Sequence, residues 1–61
     1  SPRQERIIEY LQDYGVLQNK DFSTLFPDIS EDTILRDLKV LVDMDIIQKL
    51  GSTKSSRYEL K

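Results

Sequence analysis

Apolar positions along this chain fall into three helical stripes followed by two short alternating runs. The first stripe is Ile7, Ile8, Leu11 and Tyr14, at spacings of three and four, which is one face of an α-helix. Arg3, Glu5, Arg6, Glu9, Gln12 and Asp13 fill the other side. Ser1 suits an N-cap and Pro2 the first helical position, where a missing N–H costs nothing. Gly15 suits a left-handed C-cap, so the pattern predicts a helix over 2–14. Val16-Leu17-Gln18 is too short to stand alone and reads as an extended segment that pairs with a later hairpin.

The second stripe, Phe22, Leu25 and Phe26, predicts a short helix from Lys20 to Phe26 with Asn19 as its N-cap and Asp21 in its first turn. Pro27 ends it, because the residue before a proline is pushed out of the helical region. Pro27-Asp28-Ile29 is then a turn and Ser30 the cap of a third helix, with Glu31 and Asp32 at its positive end. Ile34, Leu35, Leu38, Leu41 and Val42 are its apolar stripe, and it should run to about Met44. Ile46 to Leu50 reads as a strand, residues 51–56 as a polar loop, and Arg57 to Leu60 as a returning strand.

Three helices, a helix–turn–helix step and a closing hairpin imply a small α+β fold. Specifically, the order is that of a winged helix-turn-helix: a three-helix bundle with a C-terminal β-hairpin wing, one domain over 1–61. The expected core is Ile7, Ile8, Leu11, Leu17, Phe22, Leu25, Phe26, Ile29, Ile34, Leu38, Leu41, Val42, Ile46, Ile47, Leu50, Tyr58 and Leu60. Tyr10 and Tyr14 are expected to pack and not to stack on bases. A chain of 61 residues is one domain and marginally stable alone. It opens on Ser-Pro and not on Met, as expected of a piece cut from a longer protein.

Composition narrows the chemistry. There is no Cys and no His, so no disulfide and neither of the commonest zinc ligands. No catalytic constellation is visible, and the expectation is a non-enzyme with no cofactor and no metal. No apolar run approaches a membrane span, which leaves a cytoplasmic chain as the expectation. Net charge is −2, unlike a strongly basic nucleic-acid binder. Its distribution says more: residues 30–45 hold two basic and five acidic groups, whereas residues 46–61 hold four basic and one acidic.

A helix-turn-helix reads duplex DNA by laying its second helix in the major groove. On the third helix the wet side runs through Asp32, Thr33, Arg36, Lys39, Val40 and Asp43. Arg36 can take guanine O6 and N7 or a phosphate, and Lys39 suits a phosphate. Ser30 and Thr33 hydroxyls, with the free N–H groups of the helix start, also suit a phosphate. In the wing, Lys54 and Arg57 sit among Thr53, Ser55 and Ser56, a composition for backbone or minor-groove contact. The candidate DNA-binding residues are therefore Ser30, Thr33, Arg36, Lys39, Lys54 and Arg57. Against them stand a solvated face, with Arg36 and Lys39 paired to Asp32 or Asp43 at helical spacing, and the repulsion of phosphates by Glu31 and Asp32. The alternative function is a protein-interaction winged helix that dimerises or docks on a fused catalytic domain. Expected partners are thus double-stranded DNA, and a second copy or fused domains of the parent protein.

Ser30-Glu31-Asp32-Thr33-Ile34-Leu35-Arg36-Asp37-Leu38-Lys39, followed by Leu41, Ile46-Ile47 and Gly51, resembles the winged helix-turn-helix of DeoR-family bacterial transcriptional regulators. That pattern is Ser-x-x-Thr-Ile-Arg-Arg-Asp-Leu, then a helix end, an apolar strand and a Gly. Arg3 to Leu11 is similar to the family's first helix. The closing residues, 51–60, also look like the C-terminal winged helices of Fic-type proteins and of some ATPase-related bacterial regulators. The resemblance implies a prokaryotic DNA-binding regulator in which Ser30, Thr33 and Arg36 contact DNA. It departs at Leu35, where the pattern has its first Arg, and in the turn Phe26 to Ser30, which is one residue longer than Phe-Gly-Val-Ser.

Overall fold

The computed structural model describes residues 1–51 and 56–61. Its elements are α1 (Pro2–Tyr14), β1 (Leu17–Gln18), a 3₁₀ turn (Asn19–Asp21) running into α2 (Phe22–Leu25), α3 (Glu31–Asp43), β2 (Ile47–Leu50) and β3 (Arg57–Leu60). With three helices and a small antiparallel sheet, this is a winged helix-turn-helix.

The ends of α1 follow its punctuation. Ser1 Oγ accepts from the Gln4 N–H, Pro2 opens the helix, and Gly15 closes it at φ 84° with its N–H donated to the Leu11 carbonyl. The second helix differs from expectation. Asn19 is not its N-cap; the chain enters from extended Gln18 into a 3₁₀ turn. Asp21 Oδ2 accepts the Gln18 N–H at 2.9 Å, so the carboxylate satisfies an amide ahead of the turn. The α-helical part is only Phe22–Leu25, and the Phe26 N–H still donates back to the Phe22 carbonyl.

In α3, Ser30 Oγ accepts from the Thr33 N–H, as the capping pattern predicts. The helix ends at Asp43 with Met44 as its C-cap, as the pattern predicts, but the turn that follows has no glycine to mark it. Asp45 takes a left-handed φ of 66°. Its N–H donates to the Val42 carbonyl at 2.9 Å, and the Ile46 N–H donates to the Leu41 carbonyl at 3.1 Å. These two bonds make a Schellman motif, with Asp45 where glycine is usual.

The sheet order is β1-β3-β2, all antiparallel. Leu17 and Lys49 both face Tyr58 across β3, and Ile47 faces Leu60. Because side chains alternate, these five residues share the sheet face turned to the helices. Gln18, Arg57, Leu50, Gln48 and Glu59 share the other. The core is Ile7, Leu11, Leu17, Phe22, Ile34, Leu38, Leu41, Ile47 and Tyr58. Ile8, Tyr10, Leu25, Phe26, Ile29, Leu35, Val42, Ile46 and Leu60 pack around it, partly buried. Two expected packing residues do not belong to it. Leu50 lies on the outer sheet face beside Arg57, half-buried. Tyr14 is 69% exposed, with its ring 4.6 Å from that of Tyr10.

Candidate nucleic-acid interface

The outer side of α3 is built by elimination. Ile34, Leu38 and Leu41 are buried, and at about 100° per residue this leaves Thr33, Arg36 and Val40 on one outward stripe, Arg36 and Val40 exposed and Thr33 half-buried. Ser30 Oγ and Thr33 Oγ1 are hydrogen-bonded to each other at 2.9 Å. Both hydroxyls therefore sit together at the positive end of the helix, beside the carboxylates of Glu31 and Asp32. Arg36 is exposed, and among the described residues no carboxylate pairs with it. Lys39 Nζ meets Asp43 Oδ2 at 3.3 Å, with both side chains well exposed. A pair this wet is worth at most about 1 kcal/mol, so Lys39 is available to a stronger anion.

Asp37 is the residue the sequence concealed. It follows Arg36 directly, yet it is buried. Its Oδ2 accepts from Arg3 Nε at 2.6 Å and its Oδ1 from Gln4 Nε2 at 3.5 Å. Both donors lie in the first turn of α1. The carboxylate thus faces inward, ties α1 to α3, and takes one negative charge off the exposed stripe.

The wing residues divide. Lys54 lies outside the described residues. Arg57 is exposed, on the outer sheet face, with Nε 3.3 Å from Glu59 Oε2. Ser56 is buried, 8% exposed, so its hydroxyl is withdrawn from the surface role expected of it. Lys49 is on the inner face, on the edge strand β2. Together with Leu35, Lys39, Val42, Asp43 and Tyr58 it lines an open groove of about 350 Å³ between α3 and the sheet. The structure therefore brings Lys39 together with Lys49, and leaves Arg57 on the other side of the sheet. Alternation alone could have placed Lys49 opposite a core residue, but only once the register was known.

Burial raises the Tyr58 hydroxyl pKa above its ordinary value, and burial, with Asp21 and Tyr14 adding to it, raises that of Tyr10. Among the described residues no cluster of three His, Cys, Asp or Glu side chains could hold a metal ion, and no helix is long and apolar enough to cross a membrane.

A family model described as a DeoR-like helix-turn-helix domain matches residues 3–55. The likeness of the closing residues to Fic-type proteins has no counterpart in this match. No curated protein and no solved structure matches the chain.

Proposed function

The chain belongs to the DeoR-like helix-turn-helix family, and from that premise we propose that it is the duplex-reading module of a transcriptional regulator. In this reading α3 enters the major groove by its N-terminal half, Thr33 and Arg36 face base edges, and Ser30 and Lys39 hold the flanking backbone. Lys54 and Arg57 add backbone contacts from the wing. The observation that carries the reading is Arg36: exposed, mid-way along the stripe, and without a carboxylate partner among the described residues. A guanidinium so placed is free to take guanine bidentately. Leu35 is half-buried and lines the groove beside it, so the base contact that an arginine at that position would supply passes to Arg36 alone.

The protein-interaction reading also has an observation in its favour. Val40 and Met44, 41% and 59% exposed, follow Arg36 along α3 and its C-cap at intervals of four, and α3 carries four carboxylates, Glu31, Asp32, Asp37 and Asp43, against two cations. One titration separates the two. Random-sequence duplex DNA is added to the isotopically labelled chain, and backbone amide shifts are followed at low and then moderate salt. Shifts at Ser30, Thr33, Arg36, Lys39 and the wing, fading with salt, support the DNA reading. No shift at low salt, together with a mass that grows with protein concentration, favours the interaction module. Arg36→Ala serves as the control, weakening DNA binding while leaving the melting temperature nearly unchanged.

A further inference from the structure

We propose that the groove between α3 and β2 seats one strand of the DNA sugar–phosphate backbone, with Lys39 and Lys49 converging on a phosphate from opposite banks. The inference rests on the DNA-binding reading above and extends it to a residue outside the family motif.

Lys49 stands where an apolar side chain is ordinarily expected. Its cross-strand partner is buried Tyr58, and its neighbour two positions back on the same face is buried Ile47. Lys49 nevertheless remains exposed, because β2 is the edge of the sheet and α3 does not close over it. A lysine on an edge strand discourages edge-to-edge pairing, but that role needs nothing across from it. Here a second lysine, Lys39, lines the same groove from the helix side. Two ammonium groups facing one groove repel each other unless an anion lies between them. Asp43 is the anion present, already bonded to Lys39 at 3.3 Å.

The rest of the lining fits the same occupant. Leu35, Val42 and Tyr58 give an apolar floor, suited to the faces of deoxyribose rings. The groove also adjoins the proposed reading surface, since Lys39 on its helix bank lies three residues from Arg36, a neighbouring position on the helix surface. A backbone strand held there brings its base edges towards Arg36 and Thr33. The charge balance agrees: α3 and its cap are acidic overall, yet this flank carries two lysines against one aspartate. Asp43 then acts as a built-in competitor. It gives up Lys39 when phosphate arrives, and its own charge weakens the binding.

The test is salt-dependent affinity for a short random-sequence duplex, measured by fluorescence anisotropy. Wild type is compared with Lys49→Gln, Lys49→Arg, Asp43→Asn, and Lys20→Gln, an exposed cation away from the groove. One phosphate contact accounts for about 0.9 of the slope of log K against log salt. Lys49→Gln should lower the slope by about that amount and the low-salt affinity about fivefold, and Lys49→Arg should restore both. Asp43→Asn should bind about two- to threefold tighter, because a competing carboxylate is gone. If wild type binds but Lys49→Gln behaves as Lys20→Gln does, the groove proposal is wrong and the DNA reading stands. If wild type shows no salt-dependent binding, both fall together.

Discussion

Removing Arg3 should destabilise the domain more than neutralising Asp37, and the two changes together should cost much less than their sum. Asp37's side chain is 10% exposed and Arg3's is 43% exposed, with 2.6 Å between Nε and Oδ2. A fully buried pair broken on one side costs about 3–5 kcal/mol. Half-exposure of the guanidinium lets water share its charge, so the figure here is smaller. Arg3→Ala leaves a buried carboxylate with only the Gln4 amide, 3.5 Å away; we expect a loss of about 2 kcal/mol. Asp37→Asn leaves a neutral amide that still meets Gln4 and a guanidinium that reaches water, a loss of about 1 kcal/mol. The double variant buries no unpaired charge and should lose about 1.5 kcal/mol and not about 3. Urea unfolding followed by circular dichroism measures all four proteins, and melting temperatures should move by about 8 °C per kcal/mol in a domain of this size. Losses that add to within about 0.5 kcal/mol would show that the two side chains do not support each other, and would remove the tie between α1 and α3.

Two further perturbations follow from the backbone and the tyrosines. Asp45→Gly should raise stability by about 0.5–1 kcal/mol in urea unfolding, because a left-handed φ of 66° strains a residue with a Cβ; the lost ion pair from Lys61 to Asp45 is exposed and worth little. A fall in stability would mean that the Asp45 side chain holds the turn. The Tyr58 hydroxyl is raised by burial above its ordinary value, so folding favours its neutral form. Its contribution is fully present below about pH 10, and is lost as pH rises through the higher folded value. Tyr58→Phe should flatten that alkaline fall in a pH series of unfolding curves, and an unchanged slope would assign the loss to other groups.

What was legible in the sequence was whatever local chemistry punctuates. Ser1, Pro2 and Gly15 bound α1, and Ser30 starts α3, because capping is settled within one turn of chain. Where the local signal is weak, contacts from further along the chain decide the structure. Asn19 is a better cap than Gln18 in isolation, yet the chain turns at Gln18 because Asp21 reaches back to its amide. The end of α3 carries no glycine, so its Schellman turn was hidden behind an aspartate. The candidate site was legible only on its helix. Asp37 lies off the wet side of the third helix, but its partner Arg3, thirty-four residues earlier, is set only by the packing of α1 against α3. Leu50, Arg57 and Lys49 take their sides from the register of β2 against β3, which depends on core residues far apart in the chain.

The same pairings redraw the electrostatic objection to DNA binding, and give it a measurable form. Of the five carboxylates from residue 30 to 45, Asp37 is held by Arg3, Asp43 by Lys39 and Asp45 by Lys61. Glu31 and Asp32 remain at the helix start, where they offset Arg36. Helix α3 by itself therefore supplies little net attraction, and affinity must come from the cations flanking it. One copy can offer a duplex Arg36, Lys39, Lys49, Lys54 and Arg57. At about 0.9 per phosphate, five contacts bound the slope of log K against log salt at about −4.5 for a monomer. A measured slope within that bound, with a mass in solution of one chain, fits a single copy on the duplex. A steeper slope exceeds what these five cations supply and points to a second copy on the duplex, with the exposed Val40 on α3 and Met44 at its C-cap as the first surface to test for contact between them.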